Sequence, residues 1–296
     1  MNILPYIFVL FAAVLWGTTG TTQTFLQEGI SPIAVACVRS AIGGGVLLIA
    51  VLFMRKIHLK TWSWKWTVMA ALAIALFQCL FFTSIRFTGV AVGTVVTIGS
   101  SPVFSGCIEW LFFKRRPTRV WGIATILAII GCILLFASRG ETTIHPLGIL
   151  LALCAGMMFA IYTNCSKQLT EREETLPSVA MTFTLCALFL LPFSQDGVTW
   201  VFEGQNFLPM LFMGLFATSL AYIFYLSGLE KISSSSAVTL SLAEPLTAAM
   251  LGVFFVGEYL SPMSWVGVLL LLGGIIVLTI GGRKASRENE VSEETT

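Results

Sequence analysis

Charge is what this chain has least of. Only 11% of its residues are Asp, Glu, Lys or Arg, about half the share of an ordinary soluble domain. There is one aspartate, Asp196, and there are two histidines, His58 and His145. So few ionisable groups exclude a soluble enzyme built on clustered acid–base residues. A formal net charge of +2 excludes the basic field that nucleic-acid binding requires. Also missing are an HExxH pair, a CxxC pair and any phosphate-binding loop of the G-x-x-x-x-G-K-S/T type, so nothing points to a metal, a cofactor or bound ATP. The seven cysteines (37, 79, 107, 132, 154, 165 and 186) are odd in number and each sits in an apolar run. They read as small buried hydrophobes and leave the redox compartment open. The first twenty residues carry no basic residue ahead of their apolar run, which predicts a retained first span and not a cleaved leader.

Apolar residues make up 56% of the 296 positions, far more than one soluble core could enclose. The class this predicts is an all-α polytopic membrane protein. Segments of about 20 mostly apolar residues suffice to cross the hydrocarbon layer. Ten are expected, at 4–25, 31–54, 66–85, 88–113, 119–138, 146–168, 176–193, 206–226, 233–256 and 262–281. Breakers or charges mark the joints, among them Ser31-Pro32, Arg115-Arg116-Pro117, His145-Pro146 and Ser261-Pro262. With a cytoplasmic N-terminus, fourteen of the 17 basic residues fall in inside loops, against Arg86 and Arg139 outside and Arg39 within a span. The positive-inside rule then places both termini in the cytoplasm.

The two halves are related. A shift of 143 without gaps sets Phe81 on Phe224, Ser84 on Ser227, Val95 on Val238, Pro102 on Pro245, Phe112 on Phe255 and Gly131 on Gly274. Each half has five spans, an odd number, so the halves enter the membrane in opposite senses. Their loops agree: 55–65 and 114–119 are basic, and the counterparts 194–205 and 257–262 carry no basic residue. Two inverted five-helix repeats are expected, at 1–140 and 146–282, with a disordered cytoplasmic tail at 283–296. Inverted repeats of this kind place a substrate site near the midplane between the halves.

The segments Leu15-Trp16-Gly17, Ile33 to Arg39, Ser101-Pro102-Val103-Phe104, Leu242-Ala243-Glu244-Pro245-Leu246 and Val256-Gly257-Glu258, in this order and duplication, resemble the EamA-type transporters of the drug/metabolite transporter superfamily. The resemblance covers essentially the whole chain to Gly282. One departure is Lys114-Arg115, which stands where the family commonly ends its fourth span in Gly-Glu. No role for that glutamate carries over. The resemblance implies a central cavity lined mainly by spans 1, 3, 4, 6, 8 and 9, with spans 5 and 10 structural. It implies movement of small metabolites, amino acids or amphiphilic drugs across the inner membrane without an ATP-binding domain.

Apart from Arg119 and Lys167 at the very ends of theirs, three ionisable residues lie within the spans, where a charge is costly and usually faces a partner or a cavity. Glu244 is about sixteen ångströms into span 9. Pro245 follows it and cannot donate to the helix, so a carbonyl is expected to be left free beside the carboxyl group, a place for a cation or proton. The alternative is a glutamate tied to a neighbouring helix for packing. Arg39, about twelve ångströms into span 2, is read either as a group for a substrate anion or for Glu244, or as a structural arginine that snorkels or bonds carbonyl groups. Glu109, seven positions before Arg116 on one helical face, is expected to form an interfacial ion pair. Among uncharged residues the candidate substrate contacts are Trp16, Thr19, Gln78, Phe82, Thr97, Tyr162, Tyr222 and Tyr225. Trp16 is set apart by its mid-span position; most other Trp residues lie at span ends, where an interfacial belt accounts for them. With the three tyrosines it could form an aromatic wall for an organic cation or a ring-bearing amino acid, and helix packing is the alternative. The glycines 43–45, 131, 273 and 274 read as points of close helix approach.

These readings together predict a secondary transporter of a small organic metabolite, an amino acid, amine or related amphiphile, working by alternating access and exporting in preference to importing. A channel or facilitator and an intramembrane enzyme are the rivals, and enzymatic activity is not expected. The expected partners are the small-molecule substrate, the bilayer and a proton or exchange substrate, with no nucleic acid, in a monomer or homodimer.

Overall fold

The computed structural model describes residues 3–56, 60–136, 145–194, 198–256 and 259–294. His58, Arg139, Asp196, Gly257 and Glu258 therefore fall outside the described residues. Within them the chain is helical and strand-free. Nine helices are long and apolar enough to cross a membrane, and one of these, Trp64–Phe113, holds two segments. At about 1.5 Å per residue, a straight helix of that length would be more than twice as long as the hydrocarbon layer is thick. It folds back at Gly89, whose φ of 76° and ψ of 164° are non-helical. Glycine adopts this positive φ without a Cβ clash. The return is tight: a Cβ on Gly93 would lie 3.0 Å from Ile85 and 3.3 Å from the Ser84 hydroxyl. The joint expected at 86–87 is thus a single residue.

We label the spans α1 Leu4–Gln23, α2 Pro32–Phe53, α3 64–88, α4 90–113, α5 Arg119–Phe136, α6 Pro146–Thr170, α7 Thr175–Leu190, α8 Phe207–Leu229, α9 Ser234–Phe254 and α10 Pro262–Glu294. Proline opens α2, α6 and α10, where its missing N–H costs no hydrogen bond. The last helix continues past Gly281, where its apolar part ends, to Glu294. The expected tail is thus helical over 283–294, in keeping with the strong helix formers Arg, Lys, Ala and Glu there.

Buried faces are rich in small residues and outward faces in branched ones. On α5, Ala124, Ala128, Gly131 and Cys132 face inward, whereas Ile123, Ile126, Ile130 and Ile133 are exposed. That inversion of the soluble pattern suits a surround of lipid tails, where packing favours small groups between helices. The α5–α10 contact displays the relation between the halves. A Cβ on Gly131 would lie 2.7 Å from Gly267 O and Leu271 N, and one on Gly274 would lie 2.8 Å from Ala124 O and 3.1 Å from Ala128 N. The shift of 143 carries the first contact set onto the second. Residue numbers rise along α5 as they fall along α10, so the two helices are antiparallel. An axis that exchanges antiparallel helices lies across them, in the plane a membrane would occupy, and this is the geometry of an inverted repeat.

Packing elsewhere follows the same exchange. Helix α2 pairs with α7, and α5 with α10; α1 packs on α8 and α9, while its counterpart α6 packs along the α3–α4 helix. Each half has lent its first helix to the other. Two three-helix bundles result, α3–α4–α6 and α1–α8–α9, and they meet at the centre.

Candidate functional site

Helix α9 is broken where the sequence turns polar. It runs as Ser234–Leu240, passes through turns at 241–242, and resumes as Ala243–Leu251. Ser233 caps the first piece by accepting from the Ser236 N–H at 3.2 Å. The break comes from Pro245, which has no N–H to give the Ser241 carbonyl four residues back. That carbonyl does not stay free as expected. The Glu244 N–H reaches it at 2.9 Å, and the Leu242 N–H bonds Thr239 O at 3.2 Å, so 3₁₀-type bonds satisfy the break. What remains unpaired is the side chain. Among the described residues the Glu244 carboxylate takes no hydrogen bond and no ion pair, and the residue is only half-buried. Its backbone carbonyl lies 2.8 Å from where a Cβ on Gly17 would stand, so Glu244 abuts α1 beside Trp16.

Around Trp16 the bundle is aromatic. The Trp16 ring centroid is 4.8 Å from Tyr222, 5.0 Å from Tyr225 and 6.3 Å from Phe159. Tyr222 also meets Phe183 at 4.2 Å and Tyr162 at 5.8 Å. Tilted and edge-on pairs of this kind are the favoured geometries. The Tyr225 hydroxyl shares a 2.9 Å hydrogen bond with Thr163 Oγ1 across the two bundles. By contrast the indole N–H of Trp16 and the hydroxyl of Thr19 are buried without a partner among the described residues. They sit three positions apart, on one face of α1. Buried donors of this sort cost about 1–3 kcal/mol each when left unmade, so their retention calls for a reason.

Arg39 on α2 is half-buried and donates from Nη2 to Gln78 Oε1 at 2.7 Å. Gln78 in turn donates to Cys186 Sγ at 3.4 Å, and Cys186 approaches Ser40 at 3.8 Å. The partner of Arg39 is therefore a side-chain amide held by α3 and α7, and among the described residues its other guanidinium donors are unused. Arg39 and Glu244 lie within electrostatic reach of each other and of Tyr222 without forming an ion pair.

The structure thus brings Trp16, Tyr162, Tyr222 and Tyr225 into one cluster, with Thr19 and Glu244 beside it, and joins Arg39 to Gln78. Phe82 packs on the same core, against Phe81 at 5.4 Å. Thr97 stands apart, spending its hydroxyl on Ala152 O of α6 at 3.1 Å. Glu109 is a correction. It is 3% exposed and does not pair with Arg116; its two oxygens accept the Ser234 and Ser235 N–H groups at 2.9 and 3.0 Å. The free N–H groups at the start of α9 are a better partner for a buried carboxylate than a solvated arginine. Two aromatic members, Phe159 and Phe183, were not anticipated. Phe159 is three residues before Tyr162 and shares its face, a usable signal; Phe183 lies in an unbroken apolar run and offers none.

Comparison with known proteins agrees with this architecture. The profile of the EamA-like transporter family matches residues 3–137 and again 146–280. The chain is 44% identical over 279 residues to the uncharacterized transporter YwfM of Bacillus subtilis (strain 168), covering 94% of each chain. It is 27% identical to the uncharacterized inner membrane transporter YicL of Salmonella typhimurium, over 94% of this chain and 96% of that one. It is also 27% identical to protein PecM of Dickeya dadantii, over 92% and 91%. A solved crystal structure superposes with a TM-score of 0.82 over 96% of this chain and 99% of the other at 18% identity, a likeness of fold.

Proposed function

The chain belongs to the EamA-like transporter family and is a multi-pass membrane transporter, and on that premise we propose that it exports a small organic metabolite across the cytoplasmic membrane by alternating access. Relatives named as inner membrane transporters and the basic residues gathered in the inside loops support that location, with both termini in the cytoplasm. The observation that carries the proposal is the cluster of unmet polar groups at the centre of the bundle. The Glu244 carboxylate, the Trp16 indole N–H and the Thr19 hydroxyl lack partners among the described residues, beside aromatic faces contributed by both three-helix bundles. A substrate ammonium or a proton suits Glu244, and a substrate anion suits the spare donors of Arg39. The rings of Trp16, Tyr162, Tyr222 and Tyr225 suit an apolar or cationic body. Gln78 holds Arg39 and Phe82 packs on the same apolar core, while Thr97 stands apart from both.

Flux into proteoliposomes tests the reading. Saturable movement of candidate amines, amino acids and related amphiphiles is expected, with counterflow confirming a shared site. Conductance that rises linearly with concentration and never saturates would replace the transporter mechanism with a channel.

A further inference from the structure

One end of the bundle is closed by buried charge. Lys167, near the end of α6, is 8% exposed, and its ammonium donates to the Leu229 carbonyl at 2.8 Å and the Glu230 carbonyl at 3.0 Å. Glu109, near the end of α4, accepts from Ser234 and Ser235 at 2.9 and 3.0 Å. Both belong to the α3–α4–α6 bundle, and both grip one segment of the other bundle, the α8–α9 turn at 229–235. The cation sits on the carbonyl end of α8 and the anion on the amide end of α9, so each matches the terminus it holds. Around this grip the chain is sealed. All residues from Tyr162 to Thr170 are buried, and so are those from Ser234 to Ala243 except Ser236. Beyond it, Glu244, Leu246, Thr247 and Ala248 are half-buried.

The symmetry of the fold makes the grip informative. Moving Glu109 and Lys167 by 143 lands on Gly252 and Thr24, so the related positions at the opposite end carry no charge. Packing alone does not require these two ionised residues, because the same fold manages without them at its other end. Removing charges from water is expensive, and these are placed only where the two bundles must part to open that end.

We propose that Glu109 and Lys167 form a charge clamp on the α8–α9 turn that locks the cytoplasmic gate, and that its release is the step that opens the central site to the cytoplasm. This rests on the alternating-access reading above and adds the device that holds one of its states. Each side chain contributes charge-assisted bonds, so removing either one shifts the balance between the two access states by at least roughly tenfold.

The test needs no substrate. In a full-length background with the seven native cysteines replaced, Gln168→Cys reports the crevice lined by Glu109, Asn164 and Lys167. Ala248→Cys, one turn from Glu244 on the same face, reports the opposite side. Labelling by a membrane-impermeant maleimide is followed in proteoliposomes. Glu109→Gln and, independently, Lys167→Met are each expected to speed labelling at 168 about tenfold and to slow it at 248. Ser105→Ala is the control: it removes a 3.0 Å bond from Asn164 that lies within one bundle, and both rates stay as they were. Rates that rise at both positions, or change at neither in a monodisperse variant, overturn the clamp. Where Glu109→Gln does not survive purification, Lys167→Met carries the test alone. Opposed rate changes without saturable flux of any solute would leave the clamp standing and remove the proposed function; flux without opposed rate changes would do the reverse.

Discussion

Glu244→Gln and Glu109→Gln are the same chemical change at two buried depths, and the structure predicts opposite consequences. Glu109 accepts two backbone N–H bonds at 2.9 and 3.0 Å. Glutamine has one oxygen to offer, so one bond is lost and the other loses its charge. Bonds to charged groups contribute about 1.5–3 kcal/mol each, and an orphaned Ser234 or Ser235 N–H adds a desolvation cost. A loss of about 2–4 kcal/mol of stability follows, read as a clear fall in melting temperature in detergent. Glu244 accepts nothing among the described residues, so its neutral isostere leaves stability within about 1 kcal/mol of the parent. Transport reverses the order. If Glu244 meets a substrate ammonium or a proton, losing one charge-assisted contact lowers flux by about tenfold or more, whereas Glu109→Gln, outside the proposed site, retains more of it. Proteoliposome flux and thermal melting of the same preparations measure both quantities. A Glu244→Gln protein that transports normally, or one that melts far below a normal Glu109→Gln, would refute the assignment.

Other substitutions follow from single contacts. Gly131→Leu and Gly274→Leu each drive a side chain into backbone atoms 2.7–2.8 Å from the new Cβ, and atoms so placed cannot yield without parting α5 from α10. Both should cost more than about 3 kcal/mol and cut the yield of monodisperse protein, while Gly273→Ala, whose Cβ meets nothing within 4 Å, behaves as the parent in the same purification. Thr163→Val removes the 2.9 Å partner of Tyr225 and lowers stability by about 1–2 kcal/mol, measurable by thermal melting. Trp16→Phe keeps an aromatic ring and deletes an unpartnered N–H, so melting is unchanged or slightly raised while the apparent substrate affinity in flux assays falls. Gln78→Leu leaves Arg39 without its 2.7 Å acceptor; transport of anion-bearing substrates should weaken more than that of simple amines.

The all-helical membrane class was legible in the sequence because it depends on bulk quantities: the apolar fraction, the run lengths and the placing of prolines. Among the described residues nine helices are long and apolar enough to cross a membrane, and the spans expected at 66–85 and 88–113 fall in one of them, kinked at Gly89. The 143-residue offset was legible for a related reason. Glycines at helix crossings and prolines within helices are few and positionally strict, so their repetition outlasts drift in the apolar background, and Gly131 and Gly274 make the two equivalent close approaches between α5 and α10. Harder to read were contacts between helices distant in sequence. Nothing local to Glu109 announces Ser234, 125 positions later; the nearer Arg116 offered a pairing that burial of the carboxylate rules out. The fate of the Ser241 carbonyl was hidden for a different reason. The proline predicts a vacancy in the ladder, but whether the backbone tightens to fill it depends on turn geometry that residue types alone do not encode.

The way the site combines repetition and departure from it gives the fold its working logic. An inverted repeat supplies two nearly equivalent scaffolds, which suits the alternating-access mechanism proposed above. Function then has to reside where equivalent positions differ. Ser101-Pro102 in α4 answers to Glu244-Pro245 in α9: the proline is shared and the carboxylate is not, and α9 is the helix that breaks. Trp16 answers to Phe159, which has no N–H donor on its side chain, and Arg39 to Thr182, which carries no charge. Glu109 and Lys167 answer to Gly252 and Thr24. These differences fall at the proposed site and at the proposed clamp, and at none of these positions is the shifted counterpart charged as well. A mutation that restores the symmetry, Glu244→Ser, should therefore leave a folded protein that opens at both ends and carries no substrate charge, and labelling at position 248 together with flux would separate the two effects.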